Sequence, residues 1–244
     1  VVVGRRAQLQ VPVEVAAAAA LASFHLHIPV AHVEAGLRTS NTLSPFPEEL
    51  NRQLISRIAV THFAPTPSNA ENLLREGVSL GRVLITGNTA IDALQFVAER
   101  KVSYGTPELE CLENDETTRV IVVTAHRREN WNGGIARIAS AIRLLAQSHP
   151  ADRFVVSLHP NPAVADVFRA ELTSVENVTM VSPMRYGGFA RLLERAYIAI
   201  TDSGGIQEEA PALGTPVIVV RETTERQEGV DAGTVQLVGT NTAD

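Results

Sequence analysis

The chain has 244 residues, 45% of them hydrophobic, enough to build a core in one large or two modest domains. Its formal charge of −6 and the lack of a basic stripe argue against a nucleic-acid partner, although a local cationic pocket for phosphate is compatible with any net charge. A lone cysteine, Cys111, rules out an intrachain disulfide and fits a reducing, cytoplasmic setting; the apolar stretch AAAAALASF is too short to span a bilayer and lacks a signal-peptide cleavage pattern, so no membrane association is expected.

The opening VVV reads as a core strand, and a first residue other than Met suggests a piece of something longer. Residues 13–26 are Ala-rich and helical by propensity. IPVAHVE (28–34) is a short β-branched strand bounded by Pro29 and Gly36. Pro47 suits the first position of a helix running to about Ile58, with Leu50, Leu54, Ile55 and Ile58 as its apolar face. THFAP (61–65) is a strand; Ser68 is placed to cap the helix NAENLLRE, which Gly77 ends. RVLITG is a strand, followed by the helix NTAIDALQFVAER. Residues 101–118 are polar, acidic and weakly periodic, and read as a linker between a domain at 1–100 and a second at 119–244.

Strands and amphipathic helices then alternate: RVIVVTA, IARIASAIRLLAQ, RFVVSLH, AVADVFRAEL, VTMVS, FARLLERA, YIAITD, IQEEAPAL and PVIVVR. That alternation predicts an α/β fold with parallel sheets covered on both faces. In such sheets ligands bind beyond the carboxyl ends of the strands. The unusual residues fall there: Glu34; His126, Arg127 and Arg128; His159; Asp202, Ser203, Gly204 and Gly205; and Arg221 with Arg226 just beyond.

Each cluster has two readings. TDSGGIQEE is either a tight turn capped by Ser203, or a backbone cradle for an anion at a helix N-terminus. Glu208 and Glu209 either complement the helix dipole, or Glu209 accepts hydrogen bonds from sugar hydroxyls. TAHRREN is either a solvated loop or a phosphate site; the forked geometry of Arg favours phosphate, and His126 is able to carry a proton near neutral pH. His159, in LHPNP, either contacts substrate or caps the approach to the next helix. The remaining histidines are scattered, with neither HExxH nor a Cys/His cluster, so no metal is expected; the absence of GxGxxG, GxSxG and a Walker loop gives no sign of a bound dinucleotide, a serine nucleophile or a P-loop, and no cofactor is expected.

Taken together, HVEAGLRT, SPFPEELNR, ITGNTAIDAL, TAHRREN, TDSGGIQEEAPALGTPV and RETTERQEG resemble the non-hydrolysing UDP-N-acetylglucosamine 2-epimerases, over a span from about Ala16 to the C-terminus. The resemblance implies two Rossmann-like domains in the GT-B arrangement, the first incomplete, with UDP-GlcNAc or UDP as ligand and a homodimer as assembly. It implies interconversion of UDP-GlcNAc and UDP-ManNAc: UDP departs from C1 as a proton leaves C2, and then adds back to a 2-acetamidoglucal. By the same resemblance Glu34 and Glu48 are the paired acid/base carboxylates and His126 the histidine near the leaving diphosphate. Arg52 and His159 are further substrate contacts. Ser203, Gly204 and Gly205 hold the diphosphate, Glu209 the ribose, Phe189 lies near the uracil and Arg226 near the sugar phosphate. Without the resemblance, Glu34 reads as a solvated strand-end acid and Glu48 as a first-turn helix acid.

Where the family has a Gly-Asp-Thr segment before the Ala-rich helix, with its Asp in the catalytic set, this chain has Val11-Pro12-Val13. The chain as given is therefore expected to epimerise poorly while its C-terminal half binds UDP. A GT-B glycosyltransferase and a non-catalytic UDP-sugar-binding fragment are the alternatives.

Overall fold

Short β-branched runs become strands and the amphipathic runs between them become helices. The structure, a computed structural model, describes residues 2–3, 13–100, 102–224 and 226–241. These divide into two units, Val1–Thr89 and Ala90–Asp244, each with its own sheet.

In the first unit β2 (Val30–Val33), β3 (Thr61–Ala64) and β4 (Val83–Ile85) run parallel in that order, and β1 (Val2–Val3) pairs antiparallel with β2. Helix α1 (Val13–His25) buries Ala16 and Ala20 against Val30 of β2 and Ile55 and Ala59 of the α2 (Glu48–Ile58) segment. Small side chains let these elements approach closely. Helix α3 (Pro67–Arg75) packs Ala70 and Leu73 on Ala35 and Ala64. Its cap is Thr66, which accepts from the Asn69 amide at 3.2 Å; Pro67 takes the first helical position and leaves Ser68, the expected cap, inside the first turn.

The apolar face expected for α2 is only partly inward. Ile55 is buried, but Leu50 and Leu54 are 44% and 49% exposed, and the inward positions include Glu49 and Ser56. Two buried polar groups account for this. Glu49, wholly buried, accepts from the Thr39 amide at 3.1 Å and from the Gln53 side chain at 2.9 Å. Arg38, with its side chain 5% exposed, forks onto the Glu76 carboxylate at 2.6 and 2.9 Å and reaches Ser56 Oγ at 2.9 Å. These bonds fix the loop after β2 against α2 and the end of α3.

The second unit opens with α4 (Thr89–Ala98), whose first residue belongs to the first unit. The stretch read as a linker does more than connect: a 3₁₀ turn at Pro107–Leu112 buries Leu109 and Leu112, and Tyr104 joins them in the core. The sheet consists of β5 (Val120–Thr124), β6 (Arg153–Ser157), β7 (Val178–Val181), β8 (Ile198–Thr201), β9 (Val217–Val219) and β10 (Val235–Leu237). Its order is β10-β9-β8-β5-β6-β7, and every pair is parallel. Ile121 and Val123 face α5 (Gly134–Ser148) and α6 (Pro162–Leu172), while Val120 and Val122 face Leu192 and Leu193 of α7 (Tyr186–Arg195) and Ala210 of α8 (Ile206–Ala212). Burial on both faces explains why these strands read as continuous apolar runs. The short α9 (Gln227–Asp231) and β10 had no counterpart in the sequence reading.

Gly36 and Gly77 both have positive φ, +91° and +87°, but a Cβ on Gly36 would lie 2.1 Å from the Asn69 carbonyl oxygen whereas one on Gly77 meets nothing within 4 Å. Gly77→Ala should cost about 1–2 kcal/mol for the left-handed backbone alone. Gly36→Ala should cost more than about 3 kcal/mol, since backbone must also shift. Thermal denaturation compares them within one unit; equal losses would contradict the packing described.

Candidate functional site

The order of the second sheet reverses between β5 and β8, where the chain turns outward in opposite directions. Loops leaving the carboxyl ends of these strands diverge, and the gap between them is where open α/β sheets bind ligands. The loop after β5 carries His126, Arg127 and Asn130; the loop after β8 carries Asp202, Ser203, Gly204 and Gly205.

Asp202 joins the two. Its carboxylate is fully buried and accepts from the His126 amide at 3.0 Å, the Arg127 amide at 2.9 Å and Asn130 Nδ2 at 2.9 Å. Beneath it Thr201 Oγ1 lies 2.7 Å from Thr124 Oγ1 and accepts from the Ser203 amide at 2.9 Å. The loop after β9 is tied in as well. Buried Arg221 donates to Glu129 at 2.7 Å, Arg226 pairs with Glu208, and Thr224 donates to Gln207 at 2.5 Å. Arg221, picked out as a strand-end cation, is thus engaged in holding loops together.

Gly204 is the close-approach point of this turn. A Cβ there would sit 2.6 Å from Arg226 Nη1 and 3.1 Å from Arg127 Nη2, so only a glycine lets both guanidinium groups close over it. Two cations from different loops therefore converge on a glycine turn that starts a helix, an arrangement suited to an anion.

The His126 and His159 rings stack, with centroids 5.5 Å apart and planes 8° from parallel. His159 also does the capping work allowed for it: its Nδ1 accepts from the Asn161 amide at 3.1 Å, and Asn161 caps α6. Burial pushes the His126 pKa below its usual value, and Arg127 and His159 push it the same way; the Asp202 carboxylate, 3.6 Å from Nδ1, opposes them. The net effect favours the neutral imidazole in the free protein.

Glu209 lies in the first turn of α8, and burial raises its pKa against the opposing effects of Tyr186 and Arg226. Phe189 is half-buried in α7 against the second core cluster.

The first unit holds the other predicted residues. Glu34 follows β2 with φ of +62°, a backbone conformation that side-chain-bearing residues seldom adopt, and its side chain is exposed. Glu48 and Arg52 are half-buried and stand one helical turn apart on α2, hence on one face. Arg38 and Glu49, equally conspicuous in the sequence, point into the fold instead. Pro12 lies outside the described residues. Among the described residues there is no group of three or more His, Cys, Asp or Glu that could hold a metal ion, and no helix long and apolar enough to cross a membrane.

Sequence reasoning missed Asn130 and Tyr186 and listed Asp202 only as a strand-end residue. An acid directly after an apolar strand and before Ser-Gly-Gly was the available signal, because a buried carboxylate there needs several N–H donors around it.

The sequence model of the family described as UDP-N-acetylglucosamine 2-epimerase matches residues 13–244. The chain belongs to this family. It is 49% identical over 229 residues to the UDP-N-acetylglucosamine 2-epimerase of Yersinia pestis, covering 91% of this chain and 60% of the relative. It is also similar to the crystal structure of UDP-GlcNAc 2-epimerase from Neisseria meningitidis bound to UDP-GlcNAc, at a TM-score of 0.88 and 46% identity over 93% of this chain and 62% of that one. The Methanocaldococcus jannaschii UDP-GlcNAc 2-epimerase in complex with UDP-GlcNAc and UDP matches at a TM-score of 0.80 and 33% identity over 93% of this chain and 62% of that one. The fold class is the one expected, α/β with Rossmann-like units of the GT-B kind. The chain spans about three fifths of the length of these relatives, 60% in the first case.

Replacing Asp202 by Asn puts an NH₂ group among N–H donors and removes a charge. Asp202→Asn should lose about 2–4 kcal/mol of stability in chemical denaturation. In NMR titration His126 should ionise at still lower pH, since the carboxylate favours the imidazolium. An unchanged or higher His126 pKa would contradict the geometry.

Proposed function

We propose that the parent protein interconverts UDP-GlcNAc and UDP-ManNAc, and that the second unit supplies its UDP site. The observation that carries this reading is the convergence of Arg127 and Arg226 on Gly204 at the reversal point of the sheet. Family membership supports the same reading and does not favour a glycosyltransferase.

The chemistry explains the residue types. The hydrogen at C2 of the sugar is not acidic, because no carbonyl is adjacent. A carboxylate takes it as the C1–O bond to the diphosphate breaks, the electron pair leaves with UDP, and a C1=C2 double bond forms. Re-addition of UDP with a proton delivered to the other face of C2 gives the epimer. Two faces call for two separately placed acid/base groups, here Glu34 and Glu48, with Arg52 as a substrate contact beside Glu48. The left-handed backbone at Glu34 favours a working residue over a solvated strand-end acid.

In the second unit the Ser203 hydroxyl, the amides of Gly204 and Gly205 and the Arg127 and Arg226 side chains would take the diphosphate. Its negative charge would raise the pKa of His126, so that the imidazole gains a proton when UDP is present and stabilises the departing group. His159, stacked on it, closes the other ring face. Glu209 would accept from the ribose hydroxyls and Phe189 would lie by the uracil. The same reading carries a cytoplasmic setting and a homodimer, with α2 as the proposed contact.

Pro12 occupies the position of the family aspartate in the sequence reading, so turnover by the chain as given is expected to be slow. The check is proton NMR of the chain mixed with UDP-GlcNAc. Slow or absent formation of the ManNAc epimer, with line broadening of the uridine resonances, is the expected result. Epimerisation at an ordinary enzymatic rate would overturn the assignment at Pro12, and unperturbed uridine resonances would overturn the UDP site.

A further inference from the structure

Tyr186 is absent from the roles above, yet the fold goes to some length to place it. It is the first residue of α7 and is followed by Gly187 and Gly188. A Cβ on Gly187 would lie 2.9 Å from the Val102 side chain and 3.2 Å from that of Val97; one on Gly188 would lie 2.3 Å from the Tyr104 carbonyl oxygen. Both glycines are thus required for the first turn of α7 to seat against α4 and the segment that follows it. That seating brings the Tyr186 hydroxyl to 3.5 Å from Glu209 Oε1 and 3.5 Å from the Ala90 carbonyl oxygen, while 43% of the residue stays exposed. The hydroxyl has one proton and two acceptors in reach, and a charged carboxylate takes such a proton in preference to an amide carbonyl.

We propose that Tyr186 is a positioning residue for Glu209, its hydroxyl occupying one carboxylate oxygen so that the other is presented to the ribose hydroxyls, and that Tyr186 thereby sets the selection of ribonucleotides. The proposal rests on the reading of Glu209 as the ribose contact. Burial disfavours the Glu209 carboxylate and the Tyr186 hydroxyl favours it, so the tyrosine also keeps Glu209 in the form that accepts hydrogen bonds. Glu209 in turn helps push the Tyr186 pKa up to about 12, behind burial, which keeps the phenol protonated and donating at all working pH values.

The test is calorimetry of the full chain with UDP and with 2′,3′-dideoxy-UDP, comparing wild type with Tyr186→Phe, which keeps the ring and removes only the hydroxyl. The wild type should bind UDP more tightly than the dideoxy analogue. Tyr186→Phe should weaken UDP binding about three- to tenfold and leave the analogue unchanged, so that discrimination shrinks. In the variant, UDP binding should also begin to fail at higher pH on acidification, because Glu209 gains a proton sooner without the donor. Equal weakening toward both ligands, or no change toward either, would overturn the role of Tyr186 while leaving the ribose contact intact. A wild type that binds the two ligands equally would overturn the Glu209 reading and this inference with it.

Discussion

The second unit depends on one buried carboxylate. Asp202 directly follows β8 with no exposure and is satisfied by three N–H donors, two of them backbone amides of the loop after β5. An isolated charge at that depth would be very costly, so the loop is obliged to fold over it. Once it does, His126 and Arg127 have fixed positions beside Ser203 and Gly204. The ion pairs Arg221–Glu129 and Arg226–Glu208 then bring in the loop after β9. Three strand ends separated by long stretches of sequence become one cationic turn because their polar groups have nowhere else to go.

The first unit solves a similar problem differently. The loop after β2 is held by Arg38 forked on Glu76 and by Glu49 accepting from Thr39, both largely hidden from water. Gly36 allows the chain to pass against the Asn69 carbonyl, and Glu34, two residues earlier, takes a left-handed backbone. The scaffold residues carry the same charges as the candidate catalytic ones, and only burial and partners separate them.

This is why the fold was more legible than the site. Strands such as VIVVT and FVVS announce themselves by unbroken apolar runs, which require helices on both faces. The candidate site residues stand out as strand-end clusters, but within a cluster the sequence does not say which side chain faces in. Glu48 and Glu49 are adjacent and equally acidic, and the helix sends one inward. Arg221 and Arg226 both follow β9, and the first is engaged with Glu129 while the second reaches Gly204. Likewise nothing local marks Tyr186, whose significance comes from two glycines packed against residues some eighty positions earlier. The acidic stretch at 101–118 read as a linker because its few apolar residues are too sparse to show periodicity, although Tyr104, Leu109 and Leu112 are buried.

The loops after β5, β8 and β9 form the proposed cradle for two phosphates. Calorimetric titration with UDP and with uridine, repeated on Gly204→Ala, addresses it directly. The added methyl meets only the flexible ends of Arg226 and Arg127, so the variant should stay folded while its guanidinium groups are pushed apart. The wild type should bind UDP at least tenfold more tightly than uridine, rising salt should weaken the UDP affinity, and Gly204→Ala should lose most of the difference. Equal affinities for UDP and uridine in the wild type, or an unaltered preference in the variant, would contradict it.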